Sequence, residues 1–155
     1  MNIGDPPRVL IISAAFYEDI ARDLLDGACE VLNEAGARFD VIEVPGALEI
    51  PAAVALADDA SRRPLGAAYD GYVALGCVIR GETYHFEIVA DQSAAGLMQL
   101  AISRGLCIGN GILTVENEAQ AHRRSSPRDL DKGGAAARAC LDLIDLKRRL
   151  TGGSL

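Results

Sequence analysis

The feature that most constrains this chain is an alternation of short apolar runs with longer segments of helical period. The runs are Arg8–Ser13, Phe39–Val44, Tyr72–Ile79 and Leu106–Val115, and their length and apolar content predict buried strands. Apolar residues in the segments after them recur every three to four positions, as on one face of a helix. Such an alternation predicts an α/β fold with a parallel sheet covered by helices on both faces.

Five helices are predicted, which gives the element order β-α-β-α-β-α-β-α-α. They are expected over about Tyr17–Ala35, residues 47–60, His85–Arg104, a short segment from Asn117, and Gly133–Leu150. Asn117 and Gln120 have the spacing of a capping box. Gly36 suits the left-handed residue that ends many helices.

Apolar spacing also predicts which helix residues face inward. In the first helix these are Ile20, Leu24, Ala28, Val31, Leu32 and Ala35; in the third Ala90, Ala94, Leu97, Met98 and Ala101; in the last Ala139, Leu143, Leu146 and Leu150.

Length, hydropathy and charge exclude several classes of protein. The 155 residues predict a single domain over residues 1–155, with residues 1–7 as an extended N-terminal segment. The chain is 50% hydrophobic, too apolar for a disordered protein, yet no run approaches the roughly 20 residues of a membrane span. A net charge of −7 argues against a nucleic-acid-coating surface. We therefore expect neither a nucleic-acid nor a membrane partner.

The cysteines and histidines give no sign of a metal site. Cys29, Cys77, Cys107 and Cys140 lack the CxxC spacing of zinc or dithiol motifs, and they fit small buried residues in a reducing cytoplasm. The start of the chain lacks a secretory signal, so a cytoplasmic location is expected. The two histidines are 37 positions apart without clustered carboxylates, a poor arrangement for metal binding.

Ligands of open parallel sheets bind beyond the carboxyl ends of the strands. This rule selects four loops, Ala14–Tyr17, Pro45–Glu49, Arg80–His85 and Asn110–Asn117. The third is the richest in reactive side chains. It also joins a strand to a helix N-terminus, which favours an anion. The imidazole of His85 there suits proton transfer, and a helix-capping turn with a surface histidine is the alternative.

Two other charged features have both a functional and a structural interpretation. Glu49 suits acceptance of hydrogen bonds from substrate hydroxyls, or stabilisation of a helix dipole. Arg123, Arg124, Arg128 and Lys132 suit a phosphate-bearing substrate, or a solvated loop. Dinucleotide, P-loop and serine-hydrolase motifs are missing from the sequence.

Three segments together resemble the lumazine synthase family. They are Val44–Pro51 (VPGALEIP), Gly76–Phe86 (GCVIRGETYHF) and Gly111–Ala121 (GILTVENEAQA), in the family's order and spacing. The similarity extends from about Arg8 to Leu150. It implies a three-layer α-β-α sandwich with a four-stranded parallel, flavodoxin-like sheet. It also implies condensation of 5-amino-6-(D-ribitylamino)uracil with 3,4-dihydroxy-2-butanone 4-phosphate into 6,7-dimethyl-8-ribityllumazine, the penultimate step of riboflavin biosynthesis, with phosphate and water released.

The resemblance implies a role for each matching residue, and no cofactor or metal. His85 is the acid/base group, and phosphate binds at Glu82, Thr83, Arg124 and Lys132; the ribitylaminouracil binds at Phe16, Ala47, Leu48, Glu49, Cys77, Val78, Ile79 and Asn110. Ala15, Tyr17, Leu48 and Asn110 depart from the residues frequent in the family.

The family also implies a homo-oligomer. Its members form pentamers, some of which build decamers or 60-subunit shells, with sites shared between subunits. Asn110 is then expected to face a neighbour's site. A non-catalytic lumazine- or flavin-binding protein of the same fold is the alternative, although the catalytic set is complete. A flavodoxin-like electron carrier is disfavoured, because the loop after the first strand is not rich in hydroxyls.

Overall fold

A computed structural model describes residues 5–153 of the chain, in which four strands and five helices follow the expected order. The strands are β1 (Arg8–Ala14), β2 (Arg38–Val44), β3 (Gly71–Ile79) and β4 (Cys107–Val115). The helices are α1 (Glu18–Glu34), α2 (Glu49–Ser61), α3 (His85–Arg104), α4 (Glu118–Ser125) and α5 (Lys132–Gly152). Residues 5–7 have no regular secondary structure, and the rest of the expected N-terminal segment lies outside the described residues.

All strand pairs are parallel, in the order β2-β1-β3-β4. One layer of helices, α1, α4 and α5, covers one face of the sheet, and α2 and α3 cover the other. The three-layer sandwich predicted from the alternating pattern is therefore confirmed. The chain places β2 on one side of β1 and then β3 on the other side. The order of strand addition therefore changes between β1 and β3, and ligands of such sheets bind at this switch point.

The face covered by α1 and α5 is packed through small residues. A Cβ added at Gly109 of β4 would lie 1.9 Å from the Ala136 carbonyl oxygen of α5, and one at Gly133 would lie 2.0 Å from that of Leu24 in α1. Backbones approach this closely only where a side chain is missing. This tight-packed face, as we call the α1–α4–α5 side of the sheet, also buries large aliphatic side chains such as Ile11 and Leu24.

The opposite side of the sheet, the α2–α3 face, is covered less completely. Leu10 and Ile12 of β1 are buried there against Ile50, Val54 and Leu97 of the two helices. Large apolar residues remain at the surface of these helices: Leu56, Ile88, Met98 and Ile102.

The inward face predicted for α1 is confirmed except at Ala35, which is exposed just after the helix. In α3 Leu97 is buried and Ala90 and Ala101 are half-buried, but the prediction is wrong at Ala94 and Met98, which are exposed, while Val89 and Ser93 are buried instead. In α5 it is also wrong, since small residues face the sheet. There Ala136, Ala137, Cys140 and Ile144 are buried, while Ala139, Leu143, Leu146 and Leu150 are exposed.

Local signals at the helix ends behave largely as predicted. The Asn117 side chain accepts a hydrogen bond from the Gln120 amide at 2.9 Å. The Gln120 side chain accepts from the Glu116 amide at 2.9 Å, one residue before the position a capping box uses. Gly36 has a φ of 67°, as the left-handed residue after α1 should.

All four cysteines are free thiols, with Cys107 and Cys140 buried and Cys29 and Cys77 partly buried. The expectation of small, mostly buried residues is met most fully at Cys140, whose thiol lies 3.5 Å from the Cys107 carbonyl oxygen. Within residues 5–153, no helix has the length and apolar character needed to cross a bilayer.

Candidate active site

A cavity of about 440 Å³ opens at the carboxyl ends of β1, β2 and β3. Its walls come from three of the four loops expected to bind a ligand. It is lined by Phe16, Tyr17, Pro45, Gly46, Ala47, Leu48, Glu49, Cys77, Val78, Ile79, Gly81, Thr83, His85, Phe86 and Val89. The structure therefore brings together nine of the thirteen predicted site residues.

The aromatic wall follows β1. The Phe16 ring is 72% exposed, and it meets the Tyr17 ring edge-on with 5.0 Å between centroids. An exposed ring fixed by a second ring offers a flat apolar surface, on which a planar heterocycle can stack.

The wall after β2 is a tight turn that ends in α2. The Glu49 amide donates to the Gly46 carbonyl at 3.2 Å, and a Cβ added at Gly46 would lie 3.1 Å from a Glu49 carboxylate oxygen. Glycine at this position leaves room for the carboxylate above the turn. Glu49 thus reaches the cavity as the first residue of α2, and Ala47 and Leu48 precede it.

The floor of the cavity is the end of β3. Cys77, Val78 and Ile79 line it, and burial raises the pKa of the Cys77 thiol to about 12. A thiol with so high a pKa is neutral near pH 7 and is not an activated nucleophile. The floor is therefore an uncharged surface, suited to a planar ligand.

The N-terminus of α3 forms the fourth wall. Thr83 precedes the helix, His85 begins it, and the His85 amide points towards the Thr83 hydroxyl oxygen at 3.4 Å. The residue at the N-cap position, Tyr84, provides no side-chain cap. Amide groups of a first helical turn that lack such a cap are available to an anion. An imidazole and a hydroxyl stand beside them.

Four predicted residues do not line this cavity. Glu82 is exposed in the turn before α3. Asn110 lies within β4, opposite Ala74, and its side-chain oxygen accepts from the Ile112 amide at 2.9 Å. The predicted loop Asn110–Asn117 is thus strand up to Val115, because two glycines in β4 allow α5 to approach rather than ending the strand.

The two cations predicted to bind phosphate also lie away from the cavity. Arg124 is in α4, where its guanidinium donates to the Gln120 carbonyl at 3.1 Å, and Lys132 is the exposed first residue of α5. Both belong to the tight-packed face. The walls of the cavity therefore provide an anion site formed by a helix terminus, a hydroxyl and an imidazole.

Two residues that line the cavity, Phe86 and Val89, lie beyond the four loops that the sequence selects. Phe86 and Val89 lie on the helix face next to His85 and point towards the sheet. Their spacing of three positions is typical of one helix face, and it was obscured by the alanines and Met98, which suggested a different inward face.

A family model for 6,7-dimethyl-8-ribityllumazine synthase matches residues 6–148. The chain belongs to this family. It is 59% identical over 145 residues to 6,7-dimethyl-8-ribityllumazine synthase 1 of Rhizobium meliloti, with 94% of each chain covered. It is 60% identical over 146 residues to the 6,7-dimethyl-8-ribityllumazine synthase of Agrobacterium fabrum, with 94% of this chain and 98% of that protein covered.

A third relative extends the same likeness. The 6,7-dimethyl-8-ribityllumazine synthase of Afipia carboxidovorans is 56% identical over 143 residues, which cover 92% of this chain and 87% of that protein. The resemblance seen in three sequence motifs thus extends over almost the whole lumazine synthase domain. The cavity walls after β2 and β3 lie within two of those motifs.

Proposed function

We propose that this chain is a lumazine synthase that condenses 5-amino-6-(D-ribitylamino)uracil with 3,4-dihydroxy-2-butanone 4-phosphate. The products are 6,7-dimethyl-8-ribityllumazine, phosphate and water. The observation that carries the proposal is one cavity with an apolar, aromatic-walled half and an anion-binding helix terminus beside His85. Those two halves match a planar pyrimidine and a phosphate ester.

Each wall has a role in this reaction. Phe16 stacks on the pyrimidine, the β3 floor of Cys77, Val78 and Ile79 contacts its ring, and Glu49 accepts hydrogen bonds from ribityl hydroxyls. Ala47 and Leu48 add backbone and apolar contacts from the same turn. The pyrimidine is thereby held with its amine directed towards the α3 terminus.

The second substrate binds with its phosphate at the α3 N-terminus. Glu82 and Thr83 form the turn around the phosphate, and His85 moves protons as the amine adds to the ketone and phosphate leaves. Two reactants held in orientation gain roughly 7–11 kcal/mol from proximity alone, so the imidazole assists a reaction that the cavity already favours.

We further propose that the active unit is a homo-oligomer, a pentamer or a larger assembly of pentamers, in which neighbouring subunits share a site. Two observations support this. Asn110, Arg124 and Lys132 do not line the cavity of their own chain, and α3 exposes Met98 and Ile102 at 60% and 77%. A neighbour packed on these apolar residues supplies the missing cations to the phosphate.

The function is tested by mixing both substrates with the purified chain and following lumazine absorbance against the spontaneous reaction. We expect formation of lumazine well above the spontaneous rate, with one phosphate released per lumazine. Tight binding of lumazine or a flavin without product formation would favour a non-catalytic binding protein instead. A phosphate yield that does not match the lumazine yield would contradict the assigned reaction.

A further inference from the structure

Arg80 is the residue between β3 and the turn that leads into α3. Its backbone amide donates to the Val115 carbonyl at 2.9 Å, which extends the β3–β4 pairing by one bond. Its side chain makes two ion pairs: Nε donates to a Glu116 carboxylate oxygen at 2.7 Å, and a terminal nitrogen donates to Glu87. One guanidinium therefore joins the end of β4 to the first turn of α3.

The same guanidinium lies over the Phe86 ring, 4.3 Å from its centroid. This distance is well within the range of a cation–π contact. Phe86 is partly buried, lines the cavity and directly follows His85. Arg80 thus contacts Phe86 and Glu87, two consecutive residues in the first helical turn of α3, which also carries the His85 imidazole. Arg80 does not itself line the cavity.

The loop from Gly81 to the start of α3 has few other restraints. Gly81 and the three residues after it are exposed, the N-cap position makes no side-chain hydrogen bond, and the bond between the His85 amide and Thr83 is long at 3.4 Å. Anions bind at a helix terminus through the direction of its amides, so a loosely held terminus binds them less well.

The charges around Arg80 are satisfied within the chain. Hydrogen bonds from Arg80 lower the pKa of the Glu87 carboxyl, and those to Glu116 and Glu87 raise the pKa of Arg80. The Glu87 carboxylate and the Arg80 cation therefore stay charged near neutral pH. With two acidic partners already bound, this guanidinium is placed to fix a structure rather than to receive a phosphate.

We infer that Arg80 is a positioning residue, which holds the first turn of α3 against the end of β4 so that Thr83, His85 and the helix amides meet the phosphate-bearing substrate. The inference rests on the proposed function for the identity of that substrate. Arg80 acts through Phe86 and Glu87, and its planar guanidinium is needed because it stacks on a ring while donating at two edges.

The test compares Arg80→Met and Arg80→Lys with Arg62→Met. Arg62 is a matched control, because it is also an arginine with two acidic partners, Asp58 and Asp59, but lies at the end of α2. For each variant we measure the melting temperature, kcat, and KM for each substrate. Inorganic phosphate affinity is measured by calorimetry as a readout that needs no turnover.

We expect Arg80→Met to lower kcat/KM for the phosphate-bearing substrate about 10- to 100-fold, the size typical of misplacing a reacting group. The KM for the pyrimidine changes less than about twofold, because its walls follow β1 and β2 and its floor, the end of β3, is held by pairing with β4 rather than by the Arg80 side chain. Arg80→Lys recovers only part of the loss, because an ammonium cannot stack and donate at two edges. Arg62→Met leaves kcat and the KM for both substrates unchanged.

Other outcomes overturn the inference. Wild-type kinetics in Arg80→Met would show that the turn holds its shape unaided. A parallel loss for both substrates with a lowered melting temperature would show a general structural role, and full recovery by lysine would show that charge alone is needed. If the wild-type chain makes no lumazine, the proposed function fails, and phosphate affinity alone decides: an unchanged affinity in Arg80→Met also overturns the inference.

Discussion

The helices on the two faces of the sheet pack against it in different ways. On the tight-packed face, glycines and alanines let α1 and α5 approach the sheet and each other until backbones touch. On the α2–α3 face, the helices approach the sheet less closely and a cavity remains at the strand ends. The difference separates the part of the molecule that fixes the fold from the part available for ligands and partners.

The most direct test of this difference is to add one methyl group on each face. In Gly133→Ala the new Cβ lies 2.0 Å from the Leu24 carbonyl oxygen, so α1 and α5 must separate. We expect a loss of about 3 kcal/mol or more in the free energy of unfolding, which exceeds the gain of about 1 kcal/mol from helix propensity. Urea denaturation measures it.

Gly81→Ala is the control at the edge of the cavity. A Cβ there meets nothing within 4 Å, and we expect a stability within about 0.5 kcal/mol of the wild type. Equal stabilities of the two variants would mean that close backbone contact does not distinguish the faces.

A second comparison uses the two histidines, one on each side of the sheet. We expect His85→Ala to slow lumazine formation about 100-fold, or roughly 2.7 kcal/mol in the activation barrier, without abolishing it, since orientation of the substrates persists. His122→Ala, in α4, should keep the wild-type rate. Initial rates of absorbance change measure both. Complete loss of activity in folded His85→Ala would refute the view that orientation dominates.

The exposed apolar residues of the two faces can be compared through assembly. Met98→Asp in α3 should weaken the oligomer, with at least a tenfold rise in the concentration at which it forms, about 1.4 kcal/mol. The same change at Leu143 in α5 serves as the control and should leave the oligomer intact. Native mass spectrometry gives both distributions. An unaltered oligomer in Met98→Asp would place the subunit interface elsewhere.

The smallest expected effect concerns two thiols. Burial raises the pKa of both Cys77 and Cys140 to about 12, so about 0.01% of either is thiolate at pH 8. Because Cys77 lines the cavity, iodoacetamide can reach it, and the rate of its alkylation should rise about tenfold per pH unit from pH 8 to 10. Cys140 should stay unmodified until the chain unfolds. Mass spectrometry of the peptides measures both, and equal labelling in the folded chain would contradict the difference in access.

The element order, the parallel sheet and most of the cavity were predictable from the sequence. Strands such as Arg8–Ala14 and Gly71–Ile79 are largely apolar, and the ligand-binding edge of a parallel sheet follows from its direction alone. The face of α1 was predictable because charged residues occupy its other side. These are local signals, which a single chain carries by itself.

The inward faces of α3 and α5 were not predictable in the same way. Each helix has two apolar sides, and the one with larger residues, such as Met98 or Leu143, is at the surface. In α5, close approach to the sheet favours small residues such as Ala136, so hydropathy ranks its two sides wrongly. In the proposed shared site, Arg124 and Lys132 reach a phosphate through a neighbouring subunit, and periodicity along one chain carries no information about such a contact.

The strand order has a consequence for synthesis of the chain. β1 pairs with β2 on one edge and β3 on the other, and β3 begins only at Gly71. A nascent chain that ends before this point has Phe16 and Glu49 but lacks the floor and the anion-binding turn. The ribosome therefore releases the two halves of the cavity at different times, and sheets built from such distant pairings fold slowly.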